Sequence, residues 1–134
     1  MIALTGSLRV FVCTQPADMR RSFDGLCGMA QELMQQDPLS GHLFLFRNRH
    51  RDRLKILYWD RDGLAIWYKR LEQGTWQFPT DVKRDDPVQR DHGQTGQQVA
   101  AAEITREELS LLLDGIDLRG VAKRRRFAIS KKSD

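Results

Sequence analysis

The stretch HLFLFRNRHRDRLKILYWDRDGLAIWYKRL, residues 42–71, decides the fold. Three runs of aromatic and branched residues follow one another in it: Leu43-Phe44-Leu45-Phe46, Leu54-Lys55-Ile56-Leu57-Tyr58-Trp59 and Leu64-Ala65-Ile66-Trp67-Tyr68. Such runs, separated by short polar linkers, predict a three-stranded antiparallel meander. The second linker, Asp60-Arg61-Asp62-Gly63, ends in the Asp-Gly pair that suits a tight turn. The first, Asn48-Arg49-His50-Arg51-Asp52, is longer and carries much of the charge. A fourth short strand is predicted through Trp76-Gln77-Phe78, ahead of Pro79. Alternation puts Tyr58 and Trp59, and likewise Trp67 and Tyr68, on opposite faces, so a sheet buried on both sides is expected.

Toward the N-terminus, Leu8-Arg9-Val10-Phe11-Val12-Cys13 alternates and predicts a further strand. After a turn at Gln15-Pro16-Ala17-Asp18, apolar residues recur at Phe23, Leu26, Cys27, Ala30, Leu33 and Met34, the spacing of an amphipathic helix. Asp37-Pro38 and Ser40-Gly41 should end it. Toward the C-terminus, residues 81–102 are rich in Asp, Arg, Gln, Gly and Pro and predict a flexible linker. Thr105-Arg106-Glu107-Glu108 then forms a capping box. It opens a helix striped by Leu109, Leu112 and Leu113 and stopped at Gly115. The expected architecture is therefore α+β: a core over residues 1–80, the linker 81–102, a C-terminal helix over 103–118 and a basic tail over 119–134.

Composition narrows the function classes. The 134 residues carry a net charge of +4, a mild excess unevenly spread. Residues 47–70 hold eight Lys or Arg against three Asp or Glu, and residues 119–134 hold seven against one, with an acidic stretch between. Two basic blocks suggest a polyanionic partner. Cys13 and Cys27 have neither disulfide-framework nor zinc spacing, so both are expected as reduced core residues. Met1-Ile2-Ala3-Leu4-Thr5-Gly6 does not read as a signal peptide and no run of about 18 apolar residues exists, so no membrane partner and a cytoplasmic location are expected.

In an extended segment Arg47, Arg49, Arg51 and Arg53 would project to one side, and each guanidinium fork can bond two phosphate oxygens. Lys55, Arg61, Lys69 and Arg70 add charge nearby. Lys123, Arg124, Arg125 and Arg126 form a second polycation whose attraction to any polyanion falls with salt. The turn should outweigh this tail, because side chains held at a strand end lose less freedom on binding. Neither a convergent carboxylate set nor a nucleophile motif around His42, His50 or His92 is present, so no catalytic residue, metal or cofactor is expected.

Five word-like blocks, Pro16 to Leu26, Asp37 to Arg49, Lys55 to Gly63, Trp67 to Glu72 and Leu112 to Leu118, closely resemble the TnpB-type accessory protein of insertion-sequence-66 elements. The resemblance spans about residues 8–79 and 103–118, with residues 81–102 long and divergent. It implies a protein encoded beside a larger transposase and needed for efficient transposition, with no accepted catalytic mechanism. DNA at the element ends and that transposase are the implied partners. Three non-catalytic roles follow: a DNA-binding accessory factor, a module docking on the transposase through the acidic helix around Glu107, Glu108, Asp114 and Asp117, or an RNA-binding regulator using the exposed aromatics.

Overall fold

In a computed structural model, which describes residues 7–81 and 99–115, the meander forms as the sequence predicts. Strands β2 (Leu43–Arg47), β3 (Arg53–Asp60) and β4 (Gly63–Arg70) pair antiparallel, with Asp60 opposite Gly63 across the tight turn. Strand β1 (Val10–Cys13) leads into helix α1 (Phe23–Glu32) and then β2, and β1 and β2 lie parallel with Val10 opposite Leu43. Antiparallel neighbours can be joined by two residues, whereas a parallel pair needs a crossover, which α1 supplies. A parallel pair covered on both faces also explains the unbroken apolar run in β2, every residue of which is buried.

The expected linker ends earlier than its composition implies. Ala101–Ile104 form strand β5, antiparallel to β1, so the sheet is mixed, in the order β4-β3-β2-β1-β5. Its alanines carry no β-branched signal. What holds the strand is its ladder with β1 and the two hydrogen bonds that Ala100 makes with Thr14 and Leu33. The core is therefore not confined to residues 1–80. Residues 82–98 and those from 116 onward, on which the rest of the expected linker, the expected helix residues 116–118 and the expected basic tail fall, lie outside the described residues.

Two apolar layers sandwich the sheet. On one face Leu26, Met29, Ala30 and Met34 of α1 and its exit pack on Phe11, Phe44, Phe46 and Leu57. On the other, Leu109 and Leu112 of helix α2 (Arg106–Asp114), with Trp76 and Phe78, pack on Val12, Leu45, Leu54 and Ile56. Both faces are thus buried, as the aromatic alternation requires. Helix α1 stops two residues short of its predicted end, where Gln35 takes φ 56°. Trp76-Gln77-Phe78 is not a strand. Trp76 and Phe78 are buried, but the backbone bonds to the β2–β3 turn, Trp76 N–H donating to the Arg51 carbonyl at 2.7 Å, and joins no ladder.

The capping box is complete. The Glu108 N–H donates to the Thr105 hydroxyl at 2.9 Å, and the Thr105 N–H donates to the Glu108 carboxylate at 2.8 Å. Gly115 closes the helix at φ 88°. Thr105→Ala should cost about 1 kcal/mol, read as a lower denaturant midpoint with unchanged slope. An unchanged midpoint would mean that packing of Leu109 and Leu112 alone holds α2.

Candidate nucleic-acid interface

The β2–β3 connection is a compact turn. Asn48 organises it: its N–H donates to the Arg53 carbonyl, its side-chain oxygen accepts the Arg53 N–H at 2.9 Å, and its amide donates to Asp52 at 2.7 Å. That last bond is the main reason the Asp52 carboxyl lies below its usual range. Arg51 takes a left-handed φ of 64° and closes the turn through its N–H to the Asn48 carbonyl. Because the segment bends instead of extending, its arginines do not share one side.

Arg47 does not belong to an exposed row of phosphate contacts. It is buried, and its guanidinium donates to both oxygens of Asp81 at 2.7 and 2.9 Å and to the Trp76 carbonyl at 2.9 Å, while stacking 3.9 Å above the Phe78 ring. Burial pushes the Asp81 carboxyl up, but the bonds from Arg47 and the Phe78 N–H outweigh it and hold the group below its usual value. Arg47 is thus a clamp that fixes residues 76–81 behind the turn.

Lys55 is withdrawn from the surface in the same way. Its ammonium is buried, donates to the Met19 and Arg21 carbonyls at 2.9 and 2.8 Å, and sits 4.7 Å from the Tyr68 ring. Arg61 lies in the β3–β4 turn, at the far end of an eight-residue strand and so about 25 Å from the arginine turn. Lys69 and Arg70 do come beside the turn, opposite Leu54 and Arg53, and both are exposed. Lys123, Arg124, Arg125 and Arg126 lie outside the described residues.

What remains is a basic groove of about 690 Å³. One wall is the turn with Arg49, His50 and Arg53. The other is the segment Gln15 to Arg21, and Met29 and Leu33 of α1 supply apolar lining. The two walls are tied together by the Ala17 N–H donating to the Arg47 carbonyl and by Lys55. Arg49 and Arg51 are exposed and Arg53 half-exposed; Arg51 reaches Asp81 only at 3.6 Å, and Arg53 reaches the Tyr68 hydroxyl at 3.4 Å.

Two cations of the opposite wall were not among those expected from the sequence. Arg21 lines the groove, its stem crossing the first turn of α1 where a Cβ on Gly25 would meet it at 3.0 Å. Arg20 projects into solvent and pairs with Asp18, whose carboxyl its hydrogen bonds lower to about 2. The signal was legible: both arginines stand in the same block as the Asp18 turn and Gly25.

Cys13 is buried, which raises its thiol pKa, and Cys27 is half-buried; neither is in a disulfide. Among the described residues no three His, Cys, Asp or Glu side chains gather into a metal-ligand set, and no helix is long and apolar enough to cross a membrane.

Two of the blocks that carry the resemblance, Pro16 to Leu26 and Asp37 to Arg49, supply part of both walls of this groove. A family model described as IS66 Orf2 like protein matches residues 8–123. Two proteins of Sinorhizobium fredii (strain NBRC 101917 / NGR234) are similar along most of their length. Protein y4jC is 35% identical over 124 residues, 92% of each chain, and y4hO is 33% identical over 113 residues, 84% of each. No solved structure matches the chain. The matched span covers both walls of the groove and every described strand and helix, and the chain belongs to the IS66 Orf2-like family of insertion-sequence accessory proteins.

Proposed function

We propose that this protein binds DNA as a non-catalytic accessory factor in transposition of its element, with Arg49, Arg51 and Arg53 as the principal phosphate contacts and Arg21 as a contact across the groove. One observation carries the reading: a single hydrogen-bonded turn holds Arg49 and Arg53 on one wall of a groove whose other wall presents Arg21, and the exposed Arg51 stands in the same turn. Guanidinium groups mounted on a rigid turn lose less freedom on binding than those of a free chain, and each presents a bidentate fork to phosphate. Such contacts position a protein on duplex DNA without reading its sequence. Lys69 and Arg70 widen the positive surface, and the tail from Lys123 to Arg126 adds a weaker contribution.

Purified protein alone is expected to retard duplex DNA carrying an element end in a native gel at low salt. Retardation only when the transposase is added would instead favour docking on that enzyme. Helix α2 supports that second reading, since Leu111 is 40% exposed beside the exposed acids Glu107 and Asp114. An apolar residue ringed by carboxylates suits a basic partner surface.

A further inference from the structure

Among the described residues β4 is the outer strand of the sheet, eight residues long, and its far side meets no other strand. A long edge with apolar residues is a template for pairing with another chain. Leu71 donates its N–H inward to the Asp52 carbonyl, so by alternation Leu64, Ile66, Tyr68 and Arg70 turn their backbone groups outward. The edge is also charged in a particular order. Arg53 and Arg70 stand directly opposite on one face, a destabilising like-charge pair, and Arg70 has only a 3.5 Å contact with the exposed Glu72. Asp62, exposed in the β3–β4 turn, lies at the opposite end of β4.

We propose that β4 pairs antiparallel with β4 of a second copy of this chain, about a two-fold axis at Ile66, joining two five-stranded sheets into one. Ile66 then faces its own counterpart, Leu64 faces Tyr68 of the other copy, and Asp62 comes beside Arg70 of the other copy, twice by symmetry. Charge selects this register. Sliding two residues one way brings Asp62 against Glu72, and sliding two the other way brings Arg61 against Lys69. The Asp62 carboxylate of each copy relieves the Arg53–Arg70 repulsion of the other. The axis is normal to the sheet, so both basic grooves face one side. Strand spacing places the two Arg53 residues about 30 Å apart, close to one turn of duplex DNA. That last consequence rests on the DNA-binding reading, while the dimer does not.

Sedimentation of the full chain without DNA tests the pairing. The protein should show a monomer–dimer equilibrium. Asp62→Arg and Arg70→Asp should each weaken it about tenfold, because two symmetric pairs become repulsions at once. The double variant Asp62→Arg/Arg70→Asp should recover to within about threefold of the parent, which misfolding would not do. A parent chain that stays monomeric at every concentration overturns the proposal. So does a dimer indifferent to both reversals, or a double variant as weak as the single ones.

Discussion

Asp81→Ala should lower the unfolding free energy by about 3–5 kcal/mol, as much as truncating a buried aromatic side chain. The two partners are almost wholly shielded, with side-chain exposures of 10% for Arg47 and 9% for Asp81. Removing the carboxylate leaves a guanidinium enclosed by Phe78 and the Trp76 backbone with its main counter-charge gone. It also removes the acceptor of the Phe78 N–H, so residues 76–81 lose two of their anchors together. A domain of this size is stable by roughly 5–15 kcal/mol, so the variant should be close to unfolding at ambient temperature.

The same pair sets an acid dependence. The Asp81 carboxyl is held below its ordinary value in the folded protein. Its contribution is therefore complete above the unfolded carboxylate value of about 3.9 and is lost as pH falls through the lower folded value. The stability gap between the parent and Asp81→Asn should shrink as pH falls below about 4. Urea denaturation across pH checks both statements, and a loss under about 1 kcal/mol for Asp81→Ala at pH 7 would contradict the clamp.

Much of the fold was legible because its signals are local. Leu54 to Trp59 and Leu64 to Tyr68 are β-rich runs joined by a two-residue turn, and the capping box at Thr105 is a local motif realised in full. Strand β5 was not legible. Ala101-Ala102-Glu103 has no strand propensity of its own and is held by a partner some 90 residues away, including Arg9, which grips Glu103 at 2.8 and 3.0 Å. The parallel pairing of β1 and β2 was hidden for a similar reason, since an apolar run does not state its direction.

The candidate site was legible as charge and illegible as geometry. Sequence placed Arg47, Arg49, Arg51 and Arg53 in one row. The left-handed turn at Arg51 and the burial of Arg47 against Asp81 are tertiary events that no local pattern announces. Lys55 illustrates the same limit: in sequence it is a strand cation, in space a strut under the loop from Met19 to Arg21.

Replacing Arg49, Arg51 and Arg53 together with Ala should weaken DNA binding severely while leaving the fold intact. None of the three makes a buried contact like that of Arg47. Arg51 must keep its left-handed φ through the Asn48 bonds, so circular dichroism should accompany the titration. Each phosphate contact on duplex DNA releases counterions and adds roughly −0.9 to the slope of log affinity against log salt. Four contacts, counted from sequence alone, would give about −3.6; with Arg47 buried, the turn supplies three and about −2.7. Across a fourfold rise in salt, a slope of that size corresponds to an affinity loss of roughly fortyfold, most of which the variant should not show. Deleting residues 123–134 should flatten the slope less than the turn variant does, since the turn is the principal phosphate contact in this account.

The central claim, that the arginine turn holds the phosphates, is tested most directly by the salt slope measured for the parent chain and the triple variant on the same duplex. The account predicts that the slope becomes shallower by about 2.7 in a folded variant. An unchanged slope, with the turn intact, would contradict it and move the function to docking on the transposase.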